Sequence, residues 1–435
     1  MFMRNAKPTP QMPSIDRQSA AYLRVLLPES LMHDPQLEAI RQQMPEGRRC
    51  DFVQASRSGA ADGEFLLSLF VPPAELDALA DQVLAARRSG RSTTLIVAIN
   101  GSQIAAFGQW LEKRANAGQL GGMRLMLESD IAGIARTLPQ RLIPVTEDNV
   151  IRMPLSTEVE NSPHRNFYLF SPGSHALVKR VRGFAENGIG RACLLGGPGS
   201  GKTSMSYYYY LLRGKGQYVS VNLLAENTRD KAAIKSLLCG HVAGAFPGAS
   251  ARTGAFTQAR DGVCFIDESH DITGPVMETL MEALDSNQYL PYGATAKRTL
   301  DCAILFATNR SWTFLQNSVN LDEFTRLGAA VLQVPELSQR EEDMIAVLCT
   351  TLAKLGSKCS TWTAPVGLSP EAWQAVRECR WHGNIRGMVR VLESAFVDTA
   401  SVNGGTLIQL AEIDQGIAQW EPKSHHSHQL YASAA

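Results

Sequence analysis

The chain has no excess of charge of either sign: 42 Lys and Arg stand against 42 Asp and Glu over 435 residues. A neutral total excludes a broadly basic surface that would bind nucleic acid through its overall field, though it leaves room for a local basic patch. The C-x-x-C pair is missing as well. Cys50, Cys193, Cys239, Cys264, Cys302, Cys349, Cys359 and Cys379 are scattered. Several fall inside apolar runs, where cysteine acts as a small buried hydrophobe. A disulfide framework is therefore not expected, and a reducing cytoplasm is. No apolar run is long enough to span a bilayer. Met1 to Ser14 is polar and proline-rich, without the apolar core of a signal peptide. What is present is a soluble globular composition, 44% hydrophobic and 19% charged. At this length two or three domains are expected rather than one core.

The strongest local signal is Leu194-Leu195-Gly196-Gly197-Pro198-Gly199-Ser200-Gly201-Lys202-Thr203-Ser204. Gly196 to Thr203 fits G-x-x-x-x-G-K-[ST], the phosphate-binding P-loop. A polyphosphate needs several backbone N–H groups aimed at one point, and side chains would block that approach. Glycine removes them and permits the left-handed dihedrals of the curl. Lys202 supplies a point charge for the β- and γ-phosphates, and Thr203 a hydroxyl for Mg²⁺. The apolar run Ala192 to Leu195 predicts a buried strand before the loop. Ser204 to Leu212 predicts a helix after it, whose N-terminus faces the anion. A glycine-rich turn with a chance lysine would not bring strand, loop and helix in that order.

About 60 residues further on, Asp261-Gly262-Val263-Cys264-Phe265-Ile266-Asp267-Glu268 runs apolar residues into two carboxylates. That is the Walker B arrangement. A strand carries Asp267 to the Mg²⁺ shell, and Glu268 polarises the attacking water. Tyr218 to Asn222 reads as a further strand. So does Ala303 to Asn309, which ends in an amide able to orient water near the γ-phosphate or simply to close a turn. Beyond residue 337 the chain turns helical: Ser338 to Leu355, Ser369 to Cys379 with Ser369 as cap and Pro370 at the first position, and Asn384 to Ala400.

Ahead of this unit, strands at Phe65 to Val71, Thr93 to Ile99 and Met123 to Leu127 alternate with helices at Glu75 to Arg88 and Ile104 to Asn116. That alternation predicts a smaller α/β domain. It carries no phosphate loop, metal cluster or nucleophile motif, which leaves a regulatory or partner-binding role, or a docking platform without a ligand. The expected layout is a disordered lead over 1–17, the α/β domain over 18–150 and a linker over 151–165. An α/β nucleotide-binding core follows over 166–336, then a helical lid over 337–420 and a polar tail over 421–435. The three tail histidines (425, 426 and 428) offer metal ligands, or belong simply to that polar tail.

The order P-loop, Asp-Glu strand, Asn-ending strand and helical lobe resembles an AAA+ ATPase, and further stretches narrow the likeness. Gly240-His241-Val242-Ala243-Gly244-Ala245-Phe246-Pro247-Gly248-Ala249 resembles the G-H-x-x-G-A-F-T-G-A segment of bacterial enhancer-binding proteins, the activators of sigma-54 RNA polymerase. Arg252-Thr253-Gly254-Ala255-Phe256-Thr257-Gln258-Ala259 is similar to that family's R-x-G-x-F-x-x-A lead into Walker B. Trp381-His382-Gly383-Asn384-Ile385-Arg386 resembles its W-P-G-N-[VI]-R segment. Asp322 to Leu327, Val334-Pro335-Glu336-Leu337 and Arg340-Glu341-Glu342-Asp343 resemble its D-L-x-x-R-L, L-P-P-L and R-E-x-D-I series. The resemblance covers roughly 166–420, the size of one AAA+ module.

That resemblance implies a Mg²⁺-dependent ATPase releasing ADP and phosphate. The nucleotide would be held by Gly196, Gly197, Pro198, Gly199, Ser200, Gly201, Lys202, Thr203 and Ser204. It makes Asp267 and Glu268 the Walker B pair and Asn222 the asparagine that restrains the catalytic glutamate until the target is engaged. Asn309 becomes sensor I and Arg386 sensor II. Arg326 becomes an arginine finger offered to a neighbour's nucleotide, a permanently charged fork suited to a transferring phosphoryl group. A finger in trans implies a homo-oligomeric ring, a hexamer in the family. Gly244, Ala245, Phe246, Pro247, Gly248 and Ala249 form the loop that engages sigma-54 RNA polymerase.

The chain departs from the pattern in places. Pro247 replaces the loop threonine, removing a hydroxyl and a backbone donor while fixing φ. Asn320 stands where the family often has a second arginine. The P-loop reads G-G-P-G-S-G-K-T rather than G-E-S-G-T-G-K-E. No helix-turn-helix motif is read after the lid, so the chain is expected to act from solution or through a DNA-binding partner. Two other readings stay open: a remodeller whose loop is retuned for a protein outside transcription, and a nucleotide-dependent assembly module with little turnover.

Overall fold

The computed structural model describes residues 22–46, 48–55, 64–145, 150–153, 167–223, 230–269, 274–311, 313 and 330–421. The expected α/β architecture is present: a five-stranded parallel sheet with a helical lobe, preceded by a smaller α/β unit.

The first unit is a five-stranded sheet in which every neighbouring pair is parallel. Its strands are β1 (Tyr22–Leu27), β2 (Arg49–Gln54), β3 (Phe65–Leu69), β4 (Thr94–Ile99) and β5 (Met123–Leu127), in the order β2-β1-β3-β4-β5. This is the flavodoxin-like doubly wound order. Residues of β3, β4 and β5 are buried along their full length, as a sheet covered on both faces requires. Helices α1 (Leu37–Gln42), α2 (Leu76–Arg88), α3 (Ile104–Asn116) and α4 (Ile131–Arg141) supply the cover. Strands β1 and β2 and helices α1 and α4 add to the elements read from the sequence; the apolar face of α4 (Ile131, Ile134, Ala135 and Leu138) is buried against the sheet.

Ile151–Met153 (β6), in the stretch expected as linker, pairs antiparallel with Phe167–Leu169 (β7). Helix α5 (Pro172–Glu186) leads into the second five-stranded parallel sheet. Its strands are β8 (Arg191–Leu195), β9 (Tyr218–Asn222), β12 (Val263–Asp267), β15 (Ala303–Thr308) and β16 (Ala330–Gln333), in the order β16-β8-β15-β12-β9. Between β9 and β12 lie α7 (Lys231–Cys239), the short hairpin β10 (Gly240–His241) with β11 (Arg252–Thr253), and α8 (Ala255–Gln258). Between β12 and β15 lie α9 (Gly274–Ser286) and the hairpin β13 (Gln288–Tyr289) with β14 (Arg298–Thr299). Helix α6 (Lys202–Arg213) follows β8 through the P-loop and begins two residues earlier than its apolar spacing alone suggests.

The helical lobe comprises α10 (Glu341–Lys358), α11 (Pro370–Glu378), α12 (Asn384–Asp398) and α13 (Leu410–Trp420), with a two-residue ladder, β17 (Gly367–Leu368) and β18 (Leu407–Ile408). One continuous apolar cluster runs from the first unit through this lobe into the core. It joins Leu26, Phe107 and Trp110 to Leu348, Trp373 and Leu194. Helix α3 lies along α10, and Ala105 N–H donates to the Val366 carbonyl at 2.9 Å. The first unit is thus packed on the lobe rather than tethered beside it.

Candidate nucleotide site at the strand ends

The parallel register places the sequence-predicted groups at one edge. Asp267 pairs with Asn222 across β12 and β9, Ile266 with Phe306 across β12 and β15, and Thr308 with Leu195 across β15 and β8. Asn222, Asp267, Glu268, Asn309 and the start of the P-loop therefore all leave the sheet at its carboxyl end, where ligands bind in open α/β sheets. Ser269 Oγ donates to the Ala307 carbonyl at 2.8 Å and ties the end of β12 to that of β15.

The P-loop has the dihedrals its composition allows. Gly199 (φ 67°) and Gly201 (φ 107°) lie in the left-handed region, and Gly201 precedes the first residue of α6. A Cβ on Gly196 would lie 2.8 Å from Ser200 Oγ and 3.0 Å from Val334 Cβ, so the curl admits no side chain there. Ser200 Oγ is buried with no hydrogen-bond partner among the described residues, a donor left for a ligand. Lys202 is buried, and its Nζ donates to the carbonyls of Gly196 at 2.9 Å and Gly197 at 3.0 Å. Burial holds its ammonium below the ordinary lysine pKa, while Asp267 and Glu268 act in the opposite direction. Thr203 and Ser204 open α6 beside it, with Ser206 Oγ donating to the Thr203 carbonyl at 2.8 Å.

Glu268 sits at φ 52°, uncommon for a side-chain-bearing residue, and its N–H donates to Asp267 Oδ1 at 2.9 Å. The positive φ bends the chain immediately after Asp267, a conformation held at a cost for a side-chain-bearing residue.

The lobe closes over the loop through residues of the R-E-E-D and W-H-G-N-I-R stretches. Arg340 is buried and donates from Nη2 to the Ser200 carbonyl at 3.2 Å. Asn384, fully buried at φ 48°, donates to the Pro198 carbonyl at 3.2 Å and accepts from Leu337 N–H at 2.8 Å. Arg386 lies against Gly199: a Cβ there would come within 2.8 Å of Arg386 Cβ. The charge of Arg386 also bears on Lys202 and lowers its pKa. Glu336, which replaces the second proline of L-P-P-L, accepts from Gly197 N–H at 3.3 Å. Sequence reasoning did not single out Arg340, Asn384 or Glu336 as contacts of the P-loop. Their signal was present in the motifs, but motif likeness carries no distances.

The partner-loop residues form a closed turn. Gly244 N–H donates to the Ala249 carbonyl at 2.9 Å, and Ala249 N–H to the Phe246 carbonyl at 3.0 Å. Phe246, Pro247, Gly248 and Ala249 thus make a turn with proline second and a glycine at φ 79° third, the type II pattern. Phe246 is 42% exposed, and its ring lies 5.0 Å from that of His241 and 6.3 Å from that of Tyr292. Tyr292 N–H donates to the Gly240 carbonyl and Val242 N–H to that of Tyr292, so the two insertions of the core stand side by side. Arg326 and Asn320 lie outside the described residues.

Among the described residues no group of three or more His, Cys, Asp or Glu side chains is placed to hold a metal by itself, and no helix is long and apolar enough to cross a membrane. A Mg²⁺ ion carried by a nucleotide would rely on Thr203, Asp267 and the nucleotide's own phosphates.

Residues 170–333 match the family described as Sigma-54 interaction domain. The chain is 31% identical over 236 residues to the alginate biosynthesis transcriptional regulatory protein AlgB of Pseudomonas aeruginosa, covering 52% of this chain and 50% of that one. It is 33% identical over 223 residues to the DNA-binding transcriptional regulator NtrC of Bradyrhizobium sp., covering 49% and 45%. To the Nif-specific regulatory protein of Herbaspirillum seropedicae it is 30% identical over 223 residues, covering 49% and 39%. The chain spans at most about half the length of these relatives. In fold it is similar to NtrX from Brucella abortus in its ADP complex, with a TM-score of 0.51 and 17% identity over 94% of this chain and 88% of that one.

Proposed function

We propose that this chain, whose residues 170–333 match the Sigma-54 interaction domain, is an ATP-hydrolysing remodeller. In this reading it assembles as a ring and moves the Gly244–Ala249 loop against sigma-54 RNA polymerase. The observation that carries the reading is the shared sheet edge. The P-loop, the carboxylates of Asp267 and Glu268, and the amides of Asn222 and Asn309 end together there, and the same module presents an exposed Phe246 on a stiff turn.

In this reading the P-loop amides and Lys202 hold the β- and γ-phosphates, with Ser200 Oγ as an additional donor. Thr203 and Asp267 hold Mg²⁺. Glu268 orients and deprotonates the attacking water, Asn222 restrains that carboxylate, and Asn309 positions the water. Arg386 reads the nucleotide from the lobe, and Arg326 completes the neighbouring subunit's site. Turnover lost in Lys202→Ala and Glu268→Gln, and rising with protein concentration, is expected of a site shared between subunits. Turnover indifferent to both substitutions would favour an assembly module.

The partner is tested by capture of purified sigma-54 in ADP with aluminium fluoride, which imitates the transferring phosphoryl group, using Phe246→Ala as control. Capture that needs both nucleotide and Phe246 supports a transcriptional activator. ATPase activity without capture would favour the second reading, a remodeller of another protein, to which the stiffened turn at Pro247 also lends itself.

A further inference from the structure

The turn Gly383–Gly387 is pressed between two surfaces. On one side the P-loop touches it: Gly199 lies against the Gly383 carbonyl and Arg386. On the other side lies the carboxylate of Glu421, the residue that caps α13. Glu421 Oε2 accepts from the backbone N–H of His382 at 2.8 Å and meets His382 Nδ1 at 3.3 Å. Its Oε1 is buried without a hydrogen-bond partner among the described residues, and it occupies the space in front of Gly387, where a Cβ would come within 2.6 Å. The Glu421 side chain is 7% exposed. A buried carboxylate with one unsatisfied oxygen costs free energy, and the arrangement persists where the surrounding structure holds it. Here it lies at the start of α12, where the backbone N–H groups favour a negative charge.

The contact depends on a departure from the family pattern. The resembling W-P-G-N segment has proline at the position of His382, and proline offers neither the N–H nor the imidazole that meets Glu421. Two glycines, Gly383 and Gly387, leave room for the carboxylate to reach the backbone.

We propose that Glu421 is a positioning residue for nucleotide binding, which holds the 383–387 turn against the P-loop and thereby sets Arg386. It makes no contact with the nucleotide and acts through the backbone of His382 and the face of Gly387. The inference rests on the reading of Arg386 as the lobe's nucleotide sensor. It also couples the end of α13 to the nucleotide site through the 383–387 turn.

The test is fluorescent-ATP binding and steady-state turnover on the full chain, with folding of each variant checked by circular dichroism. Glu421→Ala is expected to weaken ATP binding roughly tenfold, the equivalent of one charge-assisted hydrogen bond, with kcat at saturating ATP within about twofold. Glu421→Gln keeps an acceptor for the His382 N–H and is expected to retain most of the affinity. His382→Ala keeps the backbone donor and changes little, whereas His382→Pro removes both donors and matches Glu421→Ala. Gly387→Ala puts a methyl group within 2.6 Å of Oε1 and has the same effect from the other side. Arg386→Ala weakens binding by itself, and adding Glu421→Ala to it produces no further loss, because the two act as one unit.

Additive losses in that double variant would overturn the inference, as would an unchanged ATP Kd in folded Glu421→Ala or in folded His382→Pro while Arg386→Ala binds weakly. An unchanged Kd in Arg386→Ala would instead overturn the sensor reading, and with it the inference built upon it. If Glu421→Ala does not fold, the comparison of His382→Ala with His382→Pro decides the matter.

Discussion

Arg124 and Glu342 form a buried ion pair between the first α/β unit and the first turn of lobe helix α10. Arg124 Nη2 donates to Glu342 Oε1 at 2.5 Å and Nε at 3.0 Å, while Leu125 N–H donates to Oε2 at 3.2 Å. The side chains are 4% and 1% exposed. Around the pair, Arg141 reaches Glu341 at 2.8 Å, and Arg377 bridges Glu128 and Glu341 at 3.1 Å each. The Trp373 indole donates to the Leu127 carbonyl at 2.9 Å. Arg340 and Asp343, on the same turn, face the other way. Arg340 holds the Ser200 carbonyl of the P-loop, and Asp343 accepts from Phe170 N–H at 2.6 Å and Ser171 N–H at 2.8 Å. Four consecutive residues therefore join the first unit, the start of the second α/β unit and the P-loop.

Breaking one side of such a pair leaves a charge short of partners in a dry interface: without Arg124, Glu342 keeps only the longer contact to Arg141 at 3.6 Å and the Leu125 N–H. Arg124→Met and Glu342→Leu are each expected to cost about 3–5 kcal/mol, read as an earlier first transition in urea. The double variant, which leaves no orphaned charge, is expected to recover most of that loss. A single variant with an unshifted transition would show that the first unit does not dock as described. Because Arg340 lies in the same turn, the single variants are also expected to raise KM for ATP.

The cysteines give an independent check on the packing. Burial pushes the thiols of Cys193, Cys239 and Cys302 up to about 12, those of Cys50 and Cys379 to about 11, and those of Cys264 and Cys349 upward as well. The thiolate is the reactive form. Alkylation at pH 8 in native buffer is expected to leave Cys193, Cys239, Cys264 and Cys349 largely unmodified over the time in which urea exposes them all, as read by mass spectrometry. Rapid native labelling of Cys264, which is fully buried within β12, would contradict the sheet itself.

Where a residue's chemistry is local, it was legible in the sequence. The P-loop needs its glycines in a fixed order, and Val263–Asp267 needs a buried strand ending in acid, so both could be placed before any coordinates. Strands Tyr218–Asn222 and Met123–Leu127 end where their apolar runs end. What was not legible depends on contacts distant in sequence. Arg124 is a lone arginine in an apolar strand until Glu342, 218 residues later, is brought to it. Glu421 reads as the start of a polar tail until α13 delivers it to His382. Strand β2 alternates weakly because it is an edge strand whose residues are only partly buried. Pro247 changes meaning too: in sequence it is a loss of hydroxyl and donor, while in the structure it occupies the second position of a type II turn, which its fixed φ suits.

Lys202 sets a pH dependence. Burial is the largest influence and lowers its pKa from the ordinary 10.5, with Asp267 and Glu268 opposing. Between the lowered value and 10.5, the unfolded chain holds a proton that the fold has lost. Stability therefore rises with pH across that window, the reverse of a lysine that gains a partner on folding. A bound triphosphate draws the proton back, so ATP binding takes up a proton there. Affinity for ATP is expected to fall as pH rises through the lowered pKa, approaching about tenfold per pH unit. Lys202→Met is expected to bind weakly with no such decline. Titration of fluorescent ATP across the alkaline range reads both, and an identical decline in the two proteins would assign it to another group.

Pro247→Thr separates what the loop's shape contributes from what its hydroxyl would. The hydrogen bond that closes the turn runs from Ala249 N–H to the Phe246 carbonyl and does not use residue 247, so the turn survives the change with Gly248 still at its positive φ. What is lost is the restriction proline places on the free loop, worth about 0.4–1 kcal/mol. If the partner reads a preformed turn with Phe246 at its shoulder, capture in the aluminium fluoride state is expected to weaken about two- to fivefold, and Phe246→Ala to abolish it in either background. Stronger capture of sigma-54 by Pro247→Thr would mean that a hydroxyl at the tip matters more than the preformed turn. Pro247 would then mark a loop shaped for a different protein surface, one that reads Phe246 and the rigid turn alone.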